Sequence, residues 1–140
     1  MRAYDEAIVA AYRANDAAKL SGLVTARELR KVSAIIDVKR SAGVALESTL
    51  EELAVTGVER PGPDAMVVLS RERWRYFDRP VEPGRPPGQV FVMAAVLRYE
   101  FVRIDGEWKM DQARTLGSEY LEPKGWSPRH APHGAAEAQK

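Results

Sequence analysis

The sequence predicts an α+β domain in which N-terminal helices pack in a strongly curved antiparallel sheet, a cone, followed by a flexible C-terminal tail. Two observations predict it. The hydrophobic period is helical up to Gly43 and moves toward 2 from Val44 onward, and the later segments are joined by hairpin-type turn residues rather than by further helices. The composition agrees: 140 residues, 45% hydrophobic and 29% charged, suit one ordinary domain. A chain of this length buries about two thirds of its unfolded surface, so no disulfide or metal clip is required. The expected boundaries are a folded unit over 1–121 and a tail over 122–140.

Ala3 to Ala14 places Ala7, Ile8, Ala11 and Tyr12 at helical spacing, with Asp5 and Glu6 in the first turn, where the helix dipole favours carboxylates. Ala17 to Leu23 holds too few apolar positions for a long helix and reads as a short connector. Thr25-Ala26-Arg27-Glu28 matches a capping box, in which the Thr25 hydroxyl accepts from the Glu28 N–H and Glu28 reaches back to the N–H of Thr25. The helix it opens carries Leu29, Val32, Ile35, Ile36 and the stem of Lys39 on one stripe, and Gly43 ends it.

Leu46 to Arg60 is an extended segment with a bulge or sharp bend expected at Gly57. Pro61-Gly62-Pro63-Asp64 is a turn. Ala65 to Asp78 is a long strand that points Glu72, Trp74 and Tyr76 one way and Arg71, Arg73 and Arg75 the other. Pro80 to Gly88 is an irregular loop. Val90 to Ile104 is the central strand, buried on both faces at its start, and Asp105-Gly106 is a tight hairpin turn into a last strand over Glu107 to Thr115. From Glu122 the chain has few large apolar residues to offset its ordering entropy.

Composition removes several function classes. Zero Cys excludes thiol nucleophiles and Cys-ligated metals or clusters, and both His130 and His133 fall in the Pro/Gly-rich tail, so no metal site or cofactor is expected. Twenty-one basic against twenty acidic residues, a net of +1, argues against a dedicated nucleic-acid binder. With no long apolar run and no leader-like start, membrane insertion is not expected and the chain has a cytoplasmic character.

The string Tyr99-Glu100-Phe101-Val102-Arg103-Ile104-Asp105-Gly106-Glu107-Trp108-Lys109-Met110 is an aromatic-rich strand, a tight turn and a Trp-Lys-apolar return. With the helix–helix–strand order it resembles the final hairpin of the nuclear-transport-factor-like superfamily, the cystatin-like cone, over residues 3 to 116. The Trp-containing strand is also similar to the intermembrane-space domain of plastid-division proteins, which is non-catalytic. The superfamily resemblance implies two uses for the cone. Some members, such as ketosteroid isomerases and SnoaL-type cyclases, are enzymes; others bind partners, dimerise or serve as accessory domains of larger proteins.

An isomerase-like cone needs a carboxylate base and a hydroxyl or protonated acid as oxyanion donor. The candidates for such an isomerase, cyclase or hydrolase are Glu72, Asp37 and Tyr12. Asp37 adjoins the apolar stripe but is followed by Lys39 and Arg40, which favour a solvated role. Glu72, among Ser70, Trp74 and Tyr76, calls for a partner if buried, with Arg98 or Arg114 as candidates. The expected pocket residues are Trp74, Tyr76, Glu72, Tyr12, Tyr99 and Trp108, suiting a small apolar ligand. Arg71, Arg73 and Arg75 form a positive stripe, either a solvated face with partners such as Glu100 or a surface that docks a protein partner or a second copy. With no imidazole, phosphate loop or carboxylate pair set for acid–base work, the sequence favours a non-catalytic binding or dimerisation module.

Overall fold

The computed structural model describes residues 2–126. Helix α1 spans Arg2–Ala14, a 3-10 turn spans Ala17–Leu20, and α2 spans Ala26–Ser41. Strands β1 (Val44–Gly62), β2 (Ala65–Pro80), β3 (Phe91–Ile104) and β4 (Glu107–Glu122) then form one antiparallel sheet in the order β1-β2-β3-β4. The α+β cone expected from the sequence is the fold observed.

Each helix end has a local cause. Asn15, at φ 52°, ends α1 in the left-handed region that asparagine tolerates, and its side chain donates to the Val44 carbonyl at 3.1 Å, tying the helix to the start of β1. The Asp16 carboxylate accepts from the Ala18 N–H at 3.0 Å and starts the 3-10 turn. Gly43, at φ 74°, closes α2 as expected.

The start of α2 differs from the expected capping box. Thr25 Oγ1 does accept from the Glu28 N–H at 3.3 Å, but the Thr25 N–H donates to the Met110 carbonyl at 3.0 Å instead of to Glu28. Glu28 turns inward. It lies on the stripe Glu28, Val32, Ile36 and Lys39, all buried, and this periodicity outweighs the local cap. Thr25 Oγ1 donates in turn to Asp111 on β4 at 2.8 Å, and the Val24–Met110 bridge completes the clamp between the connector and β4.

Register shifts fall at Leu50/Glu52, Val55/Gly57 and Glu59/Gly62 in β1, and at three places along the β3–β4 pair. Each bends its strand and increases the twist, so the sheet curls around the helices. Gly57 sits at one of these shifts, as expected. At the β3–β4 hairpin, Asp105 (φ 52°) and Gly106 (φ 80°) both take positive φ, as a type I′ turn requires.

The last strand runs seven residues beyond its expected end at Thr115. Its extension pairs with the start of β3, Met93 opposite Tyr120 and Val92 opposite Glu122, so the apolar start of β3 gains a neighbour on each side. Trp126, past the expected boundary at 121, packs on Phe91 and Tyr120 with ring centroids at 4.7 and 4.3 Å. His130, His133 and the rest of residues 127–140 of the expected tail lie outside the described residues. The core joins Ala11, Tyr12, Leu20, Val32 and Ile36 of the helical part to Leu46, Met93, Leu97 and Met110 of the sheet's inner face.

Candidate functional site

Along β2 the side chains alternate as the period of 2 requires. Ser70, Glu72, Trp74 and Tyr76 are buried, whereas Arg71 and Arg75 are exposed and Arg73 is half-buried. The buried set points into the cone, where it meets α1 and α2 across a half-enclosed cavity of about 70 Å³. Tyr4, Asp5, Ile8 and Tyr12 come to it from α1, and Glu28 and Val32 from α2. The sheet supplies Leu46, Ser48, Trp74, Leu97, Tyr99 and Ala113.

Beneath the wall formed by Trp74 and Tyr99 lies Glu72, only 3% exposed. Its Oε1 accepts from Trp74 Nε1 at 2.7 Å, and its Oε2 accepts from Ser70 Oγ at 2.6 Å and from Tyr99 Oη at 2.6 Å. Three neutral donors thus hold a buried carboxylate, which meets the requirement that such a group be hydrogen-bonded. The bonds also fix the two aromatic rings. Tyr99 is pinned at its hydroxyl and touched edge-on by Tyr4 at 6.1 Å.

Arg98 and Arg114, the partners expected for Glu72, do not reach it. Arg98 points to the other face of β3, where Arg98 and Arg114 both approach Glu100, at 3.4 and 3.8 Å. Glu100 is therefore also not the partner of the β2 arginines. Arg73 bridges Glu51 and Glu52 at 3.3 and 3.1 Å, and Arg75 bridges Glu51 at 3.0 Å, all on β1.

Glu28, 2% exposed, is with Asp5 a carboxylate of the cavity wall itself. Burial raises its pKa more than its Lys31 partner, at 3.0 Å, lowers it. Burial likewise pushes Tyr4, Tyr12 and Tyr99 above the ordinary tyrosine value. The charge of Glu28 adds to the effect at Tyr4 and Tyr12, and that of Glu72 at Tyr99. All three remain neutral hydroxyls over the physiological range.

Of the sequence-selected residues, Tyr12, Trp74 and Tyr99 line the cavity and Glu72 supports it from behind. Tyr76 and Trp108 sit elsewhere. Tyr76 stacks on Phe91 at 5.3 Å and shares a 2.9 Å hydroxyl contact with Tyr120, in the aromatic cluster that Trp126 completes. Trp108 packs at the rim of the core beneath the Arg103 guanidinium, 5.4 Å from its ring centre. Asp37 is on the outer surface of α2, with an i,i+3 contact to Arg40 at 3.3 Å, and is not brought to Glu72 or Tyr12. Tyr4, Asp5, Glu28 and Ser48 complete the cavity. The signal for Tyr4 was the 4-8-12 spacing of Tyr4, Ile8 and Tyr12, which puts them on one helical face.

On the outer face of the sheet a broad shallow groove runs over Ala54, Ala94, Val96, Gly117 and Leu121, with Arg71 and Arg73 of β2 crossing it between β1 and β3 and Glu52 and Glu119 also lining it. Arg71 makes no ion pair among the described residues. No helix among the described residues is long and apolar enough to cross a membrane.

No family model and no curated protein matches the sequence. Solved structures do match. The chain is similar to the intermembrane space region of the chloroplast protein ARC6, with a TM-score of 0.71 at 17% identity over 83% of this chain and 90% of that one. It is similar also to the hexachlorocyclohexane dehydrochlorinase LinA-type3 from Novosphingobium barchaimii LL02, with a TM-score of 0.52 at 15% identity over 91% and 94% of the two chains. A protein of the NTF2-like family from Streptomyces avermitilis gives a TM-score of 0.52 at 16% identity over 80% and 89%. At these identities the likeness is one of fold, and the chain has the NTF2-like fold.

Proposed function

We propose that this NTF2-like domain is a non-catalytic binding module, with a ligand cavity inside the cone and an outer sheet face that docks a second copy of the chain. The observation that carries the first part is the state of Glu72. As a general base it would need a free lone pair aimed at substrate. Three of its four lone-pair sites are instead taken by Ser70, Trp74 and Tyr99, and it stands behind the cavity wall rather than in it. The other carboxylate candidate, Asp37, is on the outside. An isomerase, cyclase or hydrolase built on Glu72, Asp37 and Tyr12 therefore lacks its assembled base.

The outer groove supports the second part. A two-fold interface presents one patch to itself, so whatever charge the patch carries is matched across the interface only if both signs occur in it. On this face Ala54, Ala94, Val96 and Leu121 are interspersed with charges of both signs: Arg73 is paired with Glu52 within the chain, while Arg71 and Glu119 make no ion pair among the described residues and are left for a second copy.

Sedimentation of the wild type is expected to give a dimer, and of Arg71→Glu a monomer with a nearly unchanged melting temperature, because Arg71 has no ion pair to lose within its own chain. A wild type that stays monomeric at high concentration would overturn the self-association. Turnover of a small apolar substrate that disappears in a folded Glu72→Gln variant would replace the binding reading with the enzymatic one.

A further inference from the structure

We infer that the second copy docks with its two-fold axis running along β3, so that Arg71 of each copy crosses the bare backbone at the other's Gly117 and pairs with the other's Glu119, an arrangement that rests on the self-docking proposed above. The strand register lays two rungs across the outer face of the sheet from β2 to β4. One runs through Arg73, Ala94 and Glu119. The next runs through Arg71, Val96 and Gly117. Residues directly opposite one another on paired strands share a face, so both rungs lie on the side away from the helices, with Arg71. Arg73 is held by Glu51 and Glu52 of its own chain. Arg71 and Glu119 are both exposed and make no ion pair among the described residues.

Symmetry and charge select the axis. A sheet that packs face to face on its own copy has the two-fold axis between the layers, and aligned sheets keep their strands within about 30° of each other. Two settings satisfy both conditions. An axis across the strands lays β2 on the second copy's β2 and sets Arg71 and Arg73 against the same arginines, which is repulsive. An axis along β3 lays β2 over the second copy's β4 and keeps each rung over its own image, so Arg73 falls over Glu119 and Arg71 over Gly117. Opposite charges meet only in this setting. Since Arg73 keeps its partners on β1, the unpaired groups left to join are Arg71 and Glu119. They stand one rung apart, two residues or about 7 Å along the strand, a step that the two long side chains span together.

Gly117 points the same way independently. It takes no positive φ, and a Cβ built on it would meet nothing within 4 Å. Neither its backbone nor the packing of its own chain therefore requires glycine. A glycine inside a strand weakens it and marks a bulge or a close approach. The register shift beside Gly117 leaves Leu116 as the extra residue and calls for no left-handed backbone at 117, so the bulge does not account for it. Under the second copy's Arg71, the missing side chain is the space through which the arginine stem passes. Ala94 and Val96 lie on the axis, where each meets its own image; both are small enough for the sheets to close, and Val96 is left 38% exposed by its own chain.

The test sediments the wild type, Arg71→Glu, Glu119→Arg, the double variant and Gly117→Val over a concentration series, with the melting temperature as the check on folding. Each single charge reversal is expected to raise the dimer dissociation constant by more than about tenfold, and the double variant to return it to within about threefold of the wild type. Gly117→Val is expected to weaken the dimer by a similar factor while its melting temperature, read at concentrations where the chain is monomeric, holds or rises, because valine suits a strand better than glycine. A double variant that dimerises no better than the single reversals, or a Gly117→Val dimer as tight as the wild type, would overturn the arrangement while leaving self-docking in place. A wild type that stays monomeric throughout would overturn the self-docking and the arrangement with it.

Discussion

Replacing Glu72 by alanine is expected to destabilise the domain by about 3–5 kcal/mol, the largest effect of any single polar substitution in the cone. The change strands three buried donors at once: the Ser70 hydroxyl, the Trp74 indole N–H and the Tyr99 hydroxyl. Each unsatisfied donor costs about 1–3 kcal/mol, and relaxation of Ser70 and Tyr99 toward other acceptors keeps the total below the simple sum. Glu72→Gln is expected to lose only about 1–2 kcal/mol, since its carbonyl oxygen still accepts from the Trp74 indole while the two hydroxyls turn to accept from its amide. Urea unfolding of the wild type and both variants measures the difference. A Glu72→Ala variant within about 0.5 kcal/mol of wild type would show that these bonds do not organise the wall.

Alkaline unfolding is the second large effect. Tyr4, Tyr12, Tyr76 and Tyr99 all have pKa values raised above 10.0, chiefly by burial. In the unfolded chain these phenols lose their protons above about pH 10, while in the folded chain they keep them. The folded state then binds more protons, so stability falls as pH rises. Each such tyrosine contributes a slope of about 1.4 kcal/mol per pH unit, and four together approach about 5 kcal/mol per unit, enough to remove a typical domain's stability within two units. Phenolate absorbance followed beside circular dichroism is expected to show most tyrosines ionising in one step with loss of structure. Separate ionisation of four tyrosines in a still-folded chain would contradict the burial assigned to them.

Much of the cone was legible because its signals are local. The inward face of β2 followed from strict alternation, the Asp105-Gly106 turn from residues that tolerate positive φ, and the stop at Gly43 from its missing Cβ. The site was legible only in part. Glu28 satisfies two patterns, a capping box and the buried stripe of α2, and only tertiary packing decides between them. Asp5 in a first helical turn looks like a dipole partner wherever the turn faces, yet here it is buried at 3% exposure. Buried charge suggests an ion pair, which points from the sequence to Arg98 or Arg114 as the partner of Glu72. The structure meets it with a serine, a tryptophan and a tyrosine, two of them neighbours at i±2 on the same strand face, a solution that alternation itself places within reach. The extension of β4 and the packing of Trp126 depend on β3 as a template, a pairing at long sequence separation that no local pattern carries.

The most direct test of the account is hydrogen exchange at the indole N–H of Trp74, compared with those of Trp108 and Trp126. The bond to Glu72 is what turns Trp74 and Tyr99 into a fixed cavity wall, so the Trp74 indole proton is predicted to exchange the slowest of the three, and to exchange quickly in Glu72→Ala. A Trp74 proton that exchanges as fast as that of the half-buried Trp108 would contradict the fixed wall and the site built on it.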